Sequence, residues 1–109
     1  MGKYDTKNMD KVLYNRIVIH AKDIESNKPL PRFCRPWQCD GLETARQIYE
    51  HIKLSNGETA EEIAVAFEIS TEYAKQTILA LQNGGADIKV IAEDSGKQHR
   101  HKHRYFIEG

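Results

Sequence analysis

Apolar positions recur with a period near 3.6 on both sides of a short break between Thr59 and Leu81: Ile63, Ala64, Phe67, then Ile69, then Ala74, Ile78 and Leu81. Such a pattern predicts two short helices crossing at a steep angle. Ala64 is the small residue at the crossing, and Ile69 is the apolar anchor in the turn. An earlier stripe of Ala45, Ile48, Tyr49, Ile52 and Leu54 predicts a helix starting near Asp40 or Gly41. Ser55-Asn56-Gly57 ends that helix, with Gly57 suited to a left-handed cap. Thr59 followed by Glu62 is a capping box for the next helix. Ser70 or Thr71 caps the third, which stops at Asn83-Gly84-Gly85. Ile88 to Ile91 reads as a strand, Glu93-Asp94-Ser95-Gly96 as a turn and His103 to Ile107 as a returning strand. The expected order is therefore helix, helix, helix, strand, turn, strand.

The first part of the chain is less regular. Residues 1–8 are polar and expected to fray. Met9 to His20 admits two readings. Met9, Val12, Leu13, Arg16, Ile17 and His20 line one helical face, yet Ile17-Val18-Ile19 are three consecutive β-branched residues that favour a strand. A helix of roughly three turns is preferred. Residues 23–41 hold Pro29, Pro31, Pro36, Asn27 and Gly41, and are expected to form an ordered loop rather than a helix.

The paired helices and the charged hairpin resemble the winged helix-turn-helix superfamily. One departure is Glu68, at the turn position where glycine is common; it must accept an uncommon backbone conformation. Another is Thr77, more polar than its register suggests. Thr59-Ala60-Glu61-Glu62-Ile63-Ala64, Thr71-Glu72-Tyr73-Ala74-Lys75, the leucine-bearing end of the third helix and the closing His103-Arg104-Tyr105-Phe106-Ile107 are similar to the small winged-helix regulators of fimbrial operons, the PapI/FaeA family. That resemblance covers residues 42–109. It implies an α+β fold with a three-helix core and a β-hairpin wing, and a transcriptional regulator acting on double-stranded DNA with a larger partner protein. Residues 1–41 have no counterpart there and are read as an N-terminal arm and proline-containing loop.

On the third helix of this unit, the side chains that the core stripe does not claim are Thr71, Glu72, Tyr73, Lys75, Gln76, Leu79 and Ala80. Gln76 can read an adenine edge, and Thr71 or Tyr73 can hold a phosphate. Lys75 is the only cation among them. Glu72 repels phosphate unless it accepts from a cytosine amino group. A plain solvated helix face is the alternative. In the hairpin, Lys97-Gln98-His99-Arg100-His101-Lys102-His103-Arg104 holds four permanent cations and three histidines. A basic loop between strands suits a phosphate backbone or a minor groove. Arg100, Lys102 and Arg104 are the expected DNA contacts there. The competing reading is a solvated charged tip.

Charge is unevenly spread along a chain whose net charge is zero. Residues 58–96 carry Lys75 and Lys89 against eight acids, whereas residues 1–41 and 97–109 are each +3. An acidic middle between basic ends suits DNA contact through the ends, or a basic partner for the middle. The second functional reading is therefore a protein-interaction module, of anti-repressor or DNA-mimic type, docking through its acidic helices. An enzyme is not expected, because no nucleophile, base and orienter converge and no glycine-rich phosphate loop is present.

No metal or other cofactor is expected. His99, His101 and His103 would share one strand face, but the flanking cations repel a metal ion. Cys34 and Cys39 are spaced C-x4-C and could bind zinc with His20 and His51, yet no second paired motif exists, and a buried filler role is favoured for one or the other. Phe33 and Trp37 are expected to pin this loop to the core; an interface role for Trp37 is the alternative. No apolar run approaches the roughly 18 residues a membrane span needs, and no secretion signal follows Met1. The expected setting is the cytoplasm, as a homodimer or with a larger regulatory partner.

Overall fold

The computed structural model describes residues 9–30, 36–55, 57–94 and 101–107. Among these are four helices and three strands, in the order α1 (Lys11–Glu25), α2 (Pro36–Ser55), β1 (Glu58–Thr59), α3 (Ala60–Phe67), α4 (Thr71–Asn83), β2 (Lys89–Asp94) and β3 (His101–Phe106). The strands form one antiparallel sheet ordered β1-β3-β2, so the molecule is α+β.

The ambiguous stretch after Met9 is a helix. Asp10 caps it, its carboxylate accepting from the Val12 N–H at 2.7 Å. Leu13, Ile17, Ala21 and Ile24 are buried while Ile19 is exposed, so the β-branched run is divided between core and solvent at helical spacing. Tertiary burial overrides its strand preference.

Several boundaries differ from expectation: β2 continues through Glu93 and Asp94, expected in the turn, β3 starts at His101 rather than His103, and the short β1 was not expected. α1 runs on to Glu25, where Asn27 in the left-handed region follows its end. α2 begins at Pro36, several residues before Asp40. Proline is well suited to the first helical position, where its missing N–H has no intrahelical partner to lose. The proline-containing loop is shorter as a result. Gly41 lies inside α2 and marks a close approach: a Cβ there would stand 2.5 Å from Leu13 Cδ2.

α3 and α4 form as expected. Thr59 and Glu62 make the capping box, the Glu62 N–H donating to Thr59 Oγ1 at 3.2 Å and the Thr59 N–H to Glu62 Oε1 at 2.9 Å. Glu68 closes α3 in the left-handed region, φ 56° and ψ 44°. Ser70 caps α4 by accepting from the Tyr73 N–H at 3.0 Å. Thr77 is fully buried, and its hydroxyl donates to the Tyr73 carbonyl at 3.0 Å, which explains a polar residue in the core register.

All four helices share one core. α1 packs on both α2 and α4, and α4 also packs on α3. The stretch read as an arm thus supplies Leu13, Ile17, Ala21 and Ile24 to the same cluster as Ile48, Ile63, Ile78 and Leu81. No helix among the described residues is long and apolar enough to cross a membrane.

Candidate nucleic-acid interface

α4 buries roughly half of its circumference. Tyr73, Ala74, Thr77, Ile78, Ala80 and Leu81 face the interior. Glu72, Lys75, Leu79 and Asn83 are exposed along the opposite face, flanked by the half-buried Thr71 and Gln76. Tyr73 and Ala80 were expected on the free face and are instead core residues, 1% and 0% exposed. α4 is packed by more than α3: α1 also lies along it and meets its C-terminal end, where Asn83 donates to the Tyr14 hydroxyl. Tyr73 is therefore corrected from phosphate contact to packing residue.

Thr71, Lys75 and Gln76 remain at the outer face, which also carries the acid Glu72. Gln76 Nε2 donates to Glu72 Oε2 at 2.9 Å, one turn back along the helix. Glu72 so orients the amide and leaves its carbonyl oxygen as the acceptor for an incoming donor.

Arg104 was expected to contact DNA with the other hairpin cations. Its guanidinium is already engaged: it donates to the Gly57 carbonyl at 2.9 Å and lies 3.5 Å from Glu62 Oε1. Glu62 is thus a hub that caps α3 and meets β3, and Arg104 ties β3 to the loop before β1. Its role in the fold is structural. Arg100 lies outside the described residues, as do His99 and the cysteine Cys34. Lys102 and His101 stand on β3 opposite Glu93 and Asp94, while their side chains, like those of Trp37 and Cys39, lie outside the described set. His103 is exposed, opposite Ala92.

The two histidines weighed as zinc ligands have carboxylate neighbours. His20 Nδ1 lies 3.5 Å from Asp23 Oδ2. His51 Nε2 lies 2.7 Å from Glu58 Oε2, its ring edge-on to Phe67 at 5.4 Å and 85°. No group of three or more histidine, cysteine or acidic side chains among the described residues is arranged to hold a metal.

Sequence reasoning missed the contribution of α1. Its signal is the spacing of Leu13, Ile17, Ala21 and Ile24, which continues past His20 up to the proline-containing segment. Beside α4, α3 presents Glu61, Glu62 and Glu68 to solvent around Val65, which is 80% exposed. In the chain, α4 thus lies between the acidic α3 and the cationic hairpin, and α3 also packs against it. Compared with protein-family models, with curated proteins and with solved structures, the chain matches none.

Proposed function

We propose that the chain is a winged helix-turn-helix transcriptional regulator that binds double-stranded DNA. In this reading α3 and α4 are the helix-turn-helix, α4 is the recognition helix, and the β2–β3 hairpin is the wing. One observation carries the reading. α4 is packed by α1 and α3 on its inner side yet keeps a continuous outer row of Thr71, Glu72, Lys75, Gln76, Leu79 and Asn83, followed in the chain by a hairpin rich in cations. A major groove accepts a helix presented this way, with polar side chains near its N-terminus meeting base edges. Gln76 is the base reader, its amide set by Glu72. Thr71 and Lys75 contact phosphate, joined by Arg100 and Lys102 of the wing. The protein works in the cytoplasm, as a homodimer or with a larger partner.

The test is anisotropy of labelled genomic duplexes titrated with protein across a salt series, with a chelator present. Saturable binding that weakens steeply with salt is expected. Replacing Arg100 and Lys102 together with alanine should weaken binding on all sequences and flatten the salt slope by about 2. Arg104 is left intact because it holds the sheet. Gln76→Ala should change the preferred site more than the affinity; identical sites selected from a random pool would remove Gln76 as the reader.

A second reading is favoured by the exposed Val65 among Glu61, Glu62 and Glu68 on α3. An apolar residue ringed by acids suits a basic protein partner. Absence of DNA binding at low salt would favour this docking role.

A further inference from the structure

β2 is the outermost strand of the sheet: β3 takes one of its edges, and among the described residues nothing pairs with the other. An open edge offers unpaired backbone N–H and C=O groups and is ordinarily blunted by proline or by charge. β2 has no proline, and between Lys89 and Glu93 it is apolar. Val90 and Ile91 are 44% and 55% exposed, on opposite faces of the strand by its two-residue alternation. Its charges stand at the ends instead, Lys89 first and Glu93-Asp94 last.

That arrangement is self-complementary only when the strand meets a reversed copy of itself. In an antiparallel pair centred on Ile91, Lys89 of one copy stands opposite Glu93 of the other, Val90 opposite Ala92, and Ile91 opposite Ile91. Lys89, Ile91 and Glu93 share a face, so two opposite-charge pairs flank an apolar centre. A slip of one residue in one direction keeps an opposite-charge pair, Lys89 with Asp94, but sets Val90 against Glu93. A slip in the other direction leaves Lys89 facing Ala92. A parallel pair sets Lys89 against Lys89 and Glu93 against Glu93. Within each chain, among the described residues, Lys89 has an exposed neighbour, Asp87, at 3.4 Å, and Glu93 stands opposite Lys102 of β3 in register.

We propose that the open edge of β2 is the interface for a second copy of this chain, joining two three-stranded sheets into one six-stranded sheet about a twofold axis. Backbone hydrogen bonds and the burial of Val90 and Ile91 supply the affinity. The charge pairs select the antiparallel direction, and the register follows from keeping Val90 opposite Ala92 and Ile91 opposite Ile91. The inference does not depend on DNA binding and is tested without DNA.

The experiment is sedimentation velocity of the full chain from micromolar to submillimolar concentration. The wild type is expected to show a reversible monomer–dimer equilibrium. Lys89→Glu alone and Glu93→Lys alone each set like charges opposite one another twice, and each should associate about tenfold more weakly. An equimolar mixture of the two variants should recover dimerisation, because across a mixed pair every charge again meets its opposite. That recovery is only possible if both variants are folded. A wild type that stays monomeric at the highest concentration overturns the proposal. So do single variants that dimerise as well as the wild type, or a mixture no stronger than its components.

Discussion

Arg104 shows how one side chain changes meaning between sequence and structure. In the chain it is the last of four closely spaced hairpin cations; in the fold its guanidinium is bonded to the Gly57 carbonyl and adjoins Glu62. The Glu62 carboxylate is 54% exposed, so solvent screens that ion pair and it contributes little. The hydrogen bond from a charged donor matters more. Arg104→Ala is expected to lower stability by about 1–2 kcal/mol, read as a lower urea midpoint; an unchanged midpoint would return Arg104 to the pool of free wing cations. Tyr49 and Tyr105 carry a second residue-scale consequence. Burial raises both phenol pKa values above the usual 10.0, with Glu25, Glu50 and Asp87 adding to the effect at Tyr49. The unfolded chain therefore loses these protons first as pH rises. Their contribution is complete below about pH 10 and is lost as pH climbs through and beyond that value. Urea midpoints should fall in this alkaline range, and Tyr49→Phe with Tyr105→Phe should flatten the fall. An equally steep decline in the double variant would assign it to other groups.

At the scale of elements, α4 is the informative case. Its core stripe, caps and end were legible because Ser70, Ile78, Leu81 and Gly84 act within the helix or its turns. Its second buried side was not, because nothing local says that another helix will pack along it. Gly84 records that contact. A Cβ there would lie 2.2 Å from the Val18 carbonyl oxygen and 2.4 Å from Ala21 Cβ, so α1 and the end of α4 touch backbone to backbone. Backbone cannot rotate away as a side chain can. Gly84→Ala should therefore destabilise by about 1–3 kcal/mol, measured by thermal or urea unfolding. Wild-type stability in that variant would mean that α1 does not sit where Gly84 requires. Glu68 is the complementary case, a left-handed residue expected from turn register alone and found at φ 56°. Turn geometry is local, so its strain was readable from the chain.

For the whole molecule, the decisive fact is that α1 belongs to the core. Leu13, Ile17 and Ile24 are essentially fully buried, and burying each such side chain contributes roughly 1.5–3 kcal/mol. Together they match a large part of the roughly 5–15 kcal/mol that holds an entire domain folded. A chain beginning at Pro36 would also expose the Gly84 surface. We expect it to lack a cooperative unfolding transition by circular dichroism. A cooperative transition would instead make residues 36–109 self-sufficient and α1 an accessory.

What depends on near neighbours was legible in the chain: the periodicity of α2, α3 and α4, the Thr59–Glu62 box, the left-handed Glu68 and the existence, though not the bounds, of the two long strands. The charge pattern, acidic through residues 58–96 and basic beyond, was legible as well, since charge needs no coordinates. What depends on partners distant in the chain was settled by the packing. It turned the first helix from arm to core wall, drew Tyr73 inward, engaged Arg104 in the fold and, among the described residues, left one edge of β2 without a partner strand. Local rules act over a turn or a strand pair, whereas which faces remain free is settled by elements tens of residues away, and a surface is defined only once every other element has been packed.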